Sequence, residues 1–92
     1  MAARLKSSFV RKLEKILTGR FPPPATVELE DNDGIIGVIT SAEFARLETI
    51  DRQNLIGDLI ATHLTVDERR RVQVIVGVTP DEGTGYLASE EL

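Results

Sequence analysis

The chain predicts an α+β domain of order α-β-β-α-β, with a three-stranded mixed sheet and its helices packed on one face. Three observations predict it. The first is the stretch Gly34 to Leu64, where Ile35, Ile36, Val38, Ile39 and Thr40 are β-branched and suit a pleated surface. The second is a change of period just after it: Ile56, Leu59, Ile60, His63 and Leu64 recur at i, i+3, i+4, i+7 and i+8, one apolar stripe of a helix. The third is Val72 to Val78, a further run dense in valine. A strand that gives way to a helix lying back over it is the centre of a small layered domain.

In order, Ala2 to Thr18 has Leu5, Phe9, Leu13, Ile16 and Leu17 at helical spacing, with bases on the other side. Gly19 follows as a C-terminal stop, with Lys15 near the negative end of the helix dipole. Phe21-Pro22-Pro23-Pro24 is expected to be an extended, stiff spacer, since successive prolines exclude the helical basin. Thr26 to Glu30 alternates, Val27 and Leu29 to one side and Glu28 and Glu30 to the other. Asp31-Asn32-Asp33-Gly34 is a turn with an Asp-Gly hairpin signal, which makes the first two strands antiparallel.

Thr40 to Glu43 has capping-box form, with Thr40 at the cap, and opens a short helical turn carrying Phe44 and Leu47. Thr49 or Asp51 is expected to cap the main helix, which runs to about Leu64. Gly57 within it costs up to about 1 kcal/mol against alanine and is expected to mark close packing. Thr65 to Arg71 is a charged connection. The strand that follows carries enough valine to suggest burial on both faces or a central place, and Pro80 ends it. Asp81 to Leu92, with Gly83, Gly85 and four acids, reads as a tail. The division is one domain over 1–82 and a flexible acidic tail over 83–92.

Composition narrows the function. Ninety-two residues support one domain with one core. No apolar run spans a bilayer, and the charged N-terminus lacks the apolar centre of a signal peptide. The absence of cysteine excludes disulfides, thiolate ligands and cysteine nucleophiles, and a cytoplasmic setting is expected. Residues 1–20 carry six bases against Glu14, whereas the remainder carries five bases against fourteen acids, for a net charge of −4. An acidic domain is a poor general nucleic-acid binder, so an anionic partner must meet the first helix.

Catalytic constellations are missing. Carboxylates are plentiful (Glu28, Glu30, Asp31, Asp33), but nothing brings two into a dry pocket, and the serines and threonines have no evident base. His63 is the sole histidine and reads as helix packing or a C-terminal cap. No catalytic residue, metal ligand or cofactor is expected. Asp31 to Phe44 resembles a degenerate EF-hand calcium loop, but Ile35 stands at the fifth ligand position and Glu43 falls one residue late. Gly34-Ile35-Ile36-Gly37 matches G-x-x-G at a strand start without an adjacent base, and hairpin geometry explains it better than backbone clamping.

The element order, with four pieces of wording, resembles the BolA-like family, whose fold is similar to class II KH domains. The pieces are the Val27–Glu30 strand with its acidic turn; Gly37 to Ser41 followed by Glu43-Phe44; Ile50-Asp51-Arg52-Gln53-Asn54-Leu55-Ile56; and the last strand running into Thr79-Pro80-Asp81-Glu82, similar to the family's terminal T-P-x-E. The resemblance implies a protein-interaction or adaptor domain linked to redox or iron–sulfur handling or stress regulation, with a monothiol glutaredoxin as partner. There are departures. Arg71 stands where the family carries a cluster-ligating histidine, Gly83 where tryptophan often follows, Ala45-Arg46 where the family favours an x-G turn, and Arg52 is the one base left at the helix start.

The expectation is therefore a non-catalytic adaptor that uses the surface around Arg52, Arg69, Arg70 and Arg71. The alternatives are a small KH-like nucleic-acid-binding regulatory domain, using Lys12, Lys15 and Arg20 with the arginine cluster, and an EF-hand-like calcium module.

Overall fold

A computed structural model of the chain describes residues 8–31 and 33–82. Expectations that fall on Ala2 to Ser7, on Asn32 and on the 83–92 tail lie outside the described residues. The order is α1 (Ser8–Arg20), β1 (Thr26–Asp31), β2 (Ile35–Thr40), a 3-10 helix (Ala42–Arg46), α2 (Thr49–His63), α3 (Val66–Arg69) and β3 (Val72–Val78). The chain is an α+β domain with a three-stranded mixed sheet.

The sheet order is β1-β2-β3. β1 and β2 pair antiparallel, from Thr26 opposite Thr40 to Asp31 opposite Ile35. The turn between them uses Asp33 at φ 60 and Gly34 at φ 124. Aspartate tolerates the left-handed region and glycine has no Cβ to clash there, which is why Asp-Gly closes this hairpin. β3 returns parallel to β2 after the helical crossover, with a register irregularity between Ile35 and Ile36.

β2, not β3, holds the central place. The valine density of β3 has a different cause: Ile75 and Gly77 face the helices while Val74 and Val76 face away, so both sides are apolar on an edge strand. The core lies between the sheet and the helices. It contains Phe9, Val10, Leu13 and Leu17 of α1, Ile35 and Ile39 of β2, Phe44, Ile56 and Ile60 of α2, Leu64 and Ile75. Phe21 belongs there too at 1 % exposed, its ring centroid 5.3 Å from that of Phe44.

Several local expectations are corrected. α1 continues through Gly19 to Arg20, and the Phe21 amide still donates to the Leu17 carbonyl at 2.8 Å. That bond pulls Phe21 into the core instead of into a spacer. The prolines form a turn, with a cis peptide between Pro23 and Pro24 and the Ala25 amide donating to the Pro22 carbonyl at 3.0 Å. The 3-10 helix is capped by Ser41, whose hydroxyl accepts from the Glu43 amide, while Thr40 stays in the β2 ladder. α2 begins one residue early, after Glu48, without a side-chain cap. Within it, a Cβ at Gly57 would meet nothing within 4 Å, so that glycine marks no close contact.

The close approaches are elsewhere. A Cβ at Gly37 would lie 2.6 Å from Leu29 Cδ2, and one at Gly77 would lie 2.7 Å from the Phe44 ring. The charged connection after α2 contains α3. Residues 80–82 are helical, where the tail was expected to have begun at Asp81.

Candidate functional site

Arg52 sits in the first turn of α2, its amide bonded to the Glu48 carbonyl at 2.9 Å. Its side chain is only 13 % exposed. Nε donates to the Leu47 carbonyl at 2.9 Å and Nη1 to the Gly77 carbonyl at 3.1 Å. Nη1 and Nη2 also donate to Glu82 Oε1 and Oε2 at 2.7 and 3.3 Å. The guanidinium lies 5.8 Å from the Phe44 ring centroid. Arg52 therefore fastens the end of the 3-10 helix, the end of β3 and the 80–82 turn to one another, using the fixed fork that lysine lacks. Glu82 in turn accepts from the Thr79 amide at 2.9 Å, and Thr79 Oγ1 accepts from the Glu82 amide at 3.3 Å, a reciprocal capping arrangement. The Arg52 hydrogen bonds, then the Thr79 amide, hold the Glu82 carboxyl down at about 2.

The arginine triplet is built differently. Thr65 caps α3, its hydroxyl accepting from the Glu68 amide at 3.1 Å while Glu68 Oε1 accepts from the Thr65 amide at 2.9 Å. Lys12 Nζ of α1 donates to both oxygens of the same carboxylate, at 3.1 and 2.9 Å. The Thr65 amide, and after it Lys12, holds Glu68 below the usual carboxylate range. α3 is thus tied to α1, and Arg69, Arg70 and Arg71 are all exposed on that corner. Arg71 lies 4.4 Å over the Phe9 ring, a cation–π contact that pins the end of the triplet. Arg70 reaches Asp67 at 3.8 Å, but both side chains are mostly in water, at 77 % and 93 % exposed, so the pair holds little. Among the described residues no ion pair involves Arg69.

The four arginines expected to share a surface do not all meet. Arg71 precedes β3, and its carbonyl accepts from the Ile35 amide at 2.9 Å, whereas Arg52 grips Gly77 near the other end of the strand. Six residues of extended chain separate those anchor points by about 20 Å. Arg69, Arg70 and Arg71 form one cationic corner, and Arg52 is a structural clasp.

Of the other cations singled out, Lys12 is committed to Glu68, and Arg20 donates to both oxygens of Glu43 at 3.1 and 3.0 Å while lying 4.6 Å over the Phe21 ring. Lys15 is exposed on α1 with no ion pair among the described residues. The Gly34–Gly37 motif forms the hairpin turn and the start of β2. Ile35 to Thr40 are extended, so Asp31 and Glu43 stand at opposite ends of a strand and no ion-wrapping loop forms. His63 is exposed, not packed on the apolar face; of its two readings the C-terminal cap is the one that fits, with Nδ1 3.1 Å from the Leu59 carbonyl. Among the described residues, no group of three histidine, cysteine or carboxylate side chains is placed to hold a metal ion. No helix among them is long and apolar enough to cross a membrane.

The residues that sequence reasoning missed are acids. Glu43, Glu68 and Glu82 take up Arg20, Lys12 and Arg52. A signal for two of them was available, since Thr65…Glu68 and Thr79…Glu82 both have the Thr-x-x-Glu form of a capping box.

Comparison of the chain with protein-family models, with curated proteins and with solved structures finds no match in any of the three.

Proposed function

We propose that this chain is a non-catalytic interaction domain of the cytoplasm, BolA-like in architecture, which presents the cationic corner of Arg69, Arg70 and Arg71 to an acidic protein partner. The observation that carries this is the contrast among the cations. Arg20, Arg52 and Lys12 are consumed by carboxylates of their own chain, while Arg69 and Arg70 stand exposed at the end of a short helix anchored by Lys12–Glu68 and by Arg71 on Phe9. The backbone beneath them is anchored, so binding orders the side chains but not the helix that carries them, and their weak pairing leaves the charge available for complementarity that gives specificity and fast association. The order of elements supports the family resemblance, because a BolA-like fold implies the same succession. The absence of cysteine is compatible with the cytoplasmic setting.

The iron–sulfur sharing that the resemblance implies does not fit these residues. Arg71 occupies the histidine position with its guanidinium over Phe9, and arginine cannot ligate iron. The single histidine lies on the last turn of α2. Charge is what this corner offers a partner. The nucleic-acid reading has less support, because two of its three helix cations are already neutralised.

The test is affinity capture from source extract with the full chain and with Arg69→Glu/Arg70→Glu, each checked for an unchanged melting transition. A partner retained by the wild-type chain and lost by the charge-reversed one is the expected result. Equal recovery by both, or recovery of no specific partner, defeats the assignment. Electrophoretic shift of single-stranded RNA at two salt concentrations tests the alternative; no binding at low salt removes it.

A further inference from the structure

The helices cover one side of the sheet. The register defines what the other side presents. Glu30 is opposite Ile36, and Ile36 is opposite Val74; Glu28 is opposite Val38, and Val38 is opposite Val76. Because side chains alternate along a strand, these six residues share a face, and it is the face away from Ile35, Gly37, Ile39, Ile75 and Gly77. These six make two rows of three, a column of two glutamates on β1 beside two columns of apolar residues on β2 and β3; Thr26, Thr40 and Val78 form a third row at the end away from the hairpin turn. Ile36, Val38, Val74 and Val76 belong neither to the buried core nor to the side chains packed against it. Val74 is 44 % exposed, while Val78 at the far end is buried, so the open part lies toward the hairpin turn. Glu28 and Glu30 are exposed, and no ion pair involves either among the described residues.

The geometry points to a docking face for a basic amphipathic helix of a partner protein. An α-helix is about 10 Å across with its side chains, and two neighbouring strands span roughly the same width, so one apolar stripe covers β2 and β3. The glutamate column then lies under the flank of that helix. Glu28 and Glu30 are separated by two strand residues, about 7 Å, close to the about 6 Å rise between positions i and i+4 of a helix. Lysines or arginines at i and i+4 beside the stripe thus meet the two carboxylates in register. Asp31 and Asp33 at the turn extend the negative charge beyond the end of the column. A second copy of this chain is a poor occupant, since a face three strands wide and three rows long, about 15 by 20 Å, is small beside the roughly 800 Å² per partner of a stable interface. This surface lies on the opposite side of the sheet from the core against which α1 packs, so it is distinct from the arginine corner and stands or falls separately from it.

The experiment uses the full chain, isotope-labelled, titrated with an 18-residue helix-forming peptide of leucine and lysine whose leucines form one stripe. A peptide of the same composition without the stripe is the control. The expected result is saturable chemical-shift change at the amides of residues 28, 30, 36, 38, 74 and 76. Affinity should fall by about tenfold or more in Glu28→Lys/Glu30→Lys, and in Val74→Asp. The first variant alters only exposed charges and so tests the idea even if the second fails to fold. Absent shifts, shifts centred on another face, or equal binding of the control peptide overturn the proposal. So does peptide-free dimerisation that Val74→Asp abolishes, which assigns the face to a second copy. Binding seen only after deletion of residues 83–92 assigns it to the chain's own end, and equally overturns the proposal.

Discussion

Replacing Gly77 by alanine is a sharp test of how the core is assembled. A Cβ at this position lies 2.7, 2.8 and 3.1 Å from three atoms of the Phe44 ring. Those distances require something to move, and the ring has little freedom: Phe44 is fully buried, sits against Phe21 and lies beneath Arg52. Overpacking of this kind costs about 1–3 kcal/mol. With a urea m-value of about 1 kcal/mol/M for a domain of this size, the midpoint should fall by about 1–3 M at unchanged slope. Chemical denaturation followed by far-UV circular dichroism measures it. The mechanism has a second signature. In a Phe44→Leu background the smaller side chain leaves room for the new methyl, so Gly77→Ala should cost less there than in the wild type, a coupling that a double-mutant cycle reads directly. A Gly77→Ala chain with the wild-type midpoint, or identical costs in the two backgrounds, would refute the packing of Phe44 on β3.

Gly57→Ala is expected to do the reverse, because a Cβ there meets nothing within 4 Å in an exposed helix interior; it should stabilise by up to about 1 kcal/mol in the same urea assay. Arg52→Met keeps the stem but removes the donors to the Leu47 and Gly77 carbonyls, and should cost about 1–3 kcal/mol. Arg70→Ala, with its side chain mostly in water, should stay within about 0.5 kcal/mol of wild type. Acid titration of stability tests the Glu82 clasp. Its folded carboxyl, held at about 2 against an ordinary 4.5, releases its proton more readily than the unfolded one. Its contribution is therefore complete above about pH 4.5 and is lost as pH falls toward 2. Glu82→Gln should flatten that acid limb in part, Glu68 contributing in the same direction, and an unchanged limb would argue against the clasp.

The architecture was legible because it depends on local rules. Alternation in Val27 to Glu30, the Asp33-Gly34 turn, and the i, i+3, i+4 stripes of Leu13, Leu17, Ile56 and Ile60 each act within a few residues, and all lead to the same sheet and helices. Misreadings arose where a local rule had two outcomes. Glycine at 19 and 57 suggested a stop and a tight contact, yet neither position takes a positive φ or meets a neighbour. Three prolines implied an extended spacer, but the Phe21 ring beside them had a core to enter. His63 continued the apolar stripe of α2 in spacing, yet the stripe's edge faces water at that turn. The candidate site was half legible: the exposed arginines at the end of α3 and just after it stand out as a run, but nothing in that run separates them from Arg52, which the fold uses internally.

By itself, then, the amino-acid order determined the succession of the three strands and the two long helices, the apolar stripe that each long helix turns to the core, and that no thiol chemistry is available, since all three depend on residue type and short spacing. Only the tertiary structure decided which cations remain free, because Lys12 meets Glu68, Arg20 meets Glu43 and Arg52 meets Glu82 across separations of 56, 23 and 30 residues. It also decided that β3 is an edge strand, with Val74 exposed on the face away from the helices and Val78 buried. Ion pairing and burial act through space, and the distances between residues far apart in sequence exist only once the sheet has closed under its helices.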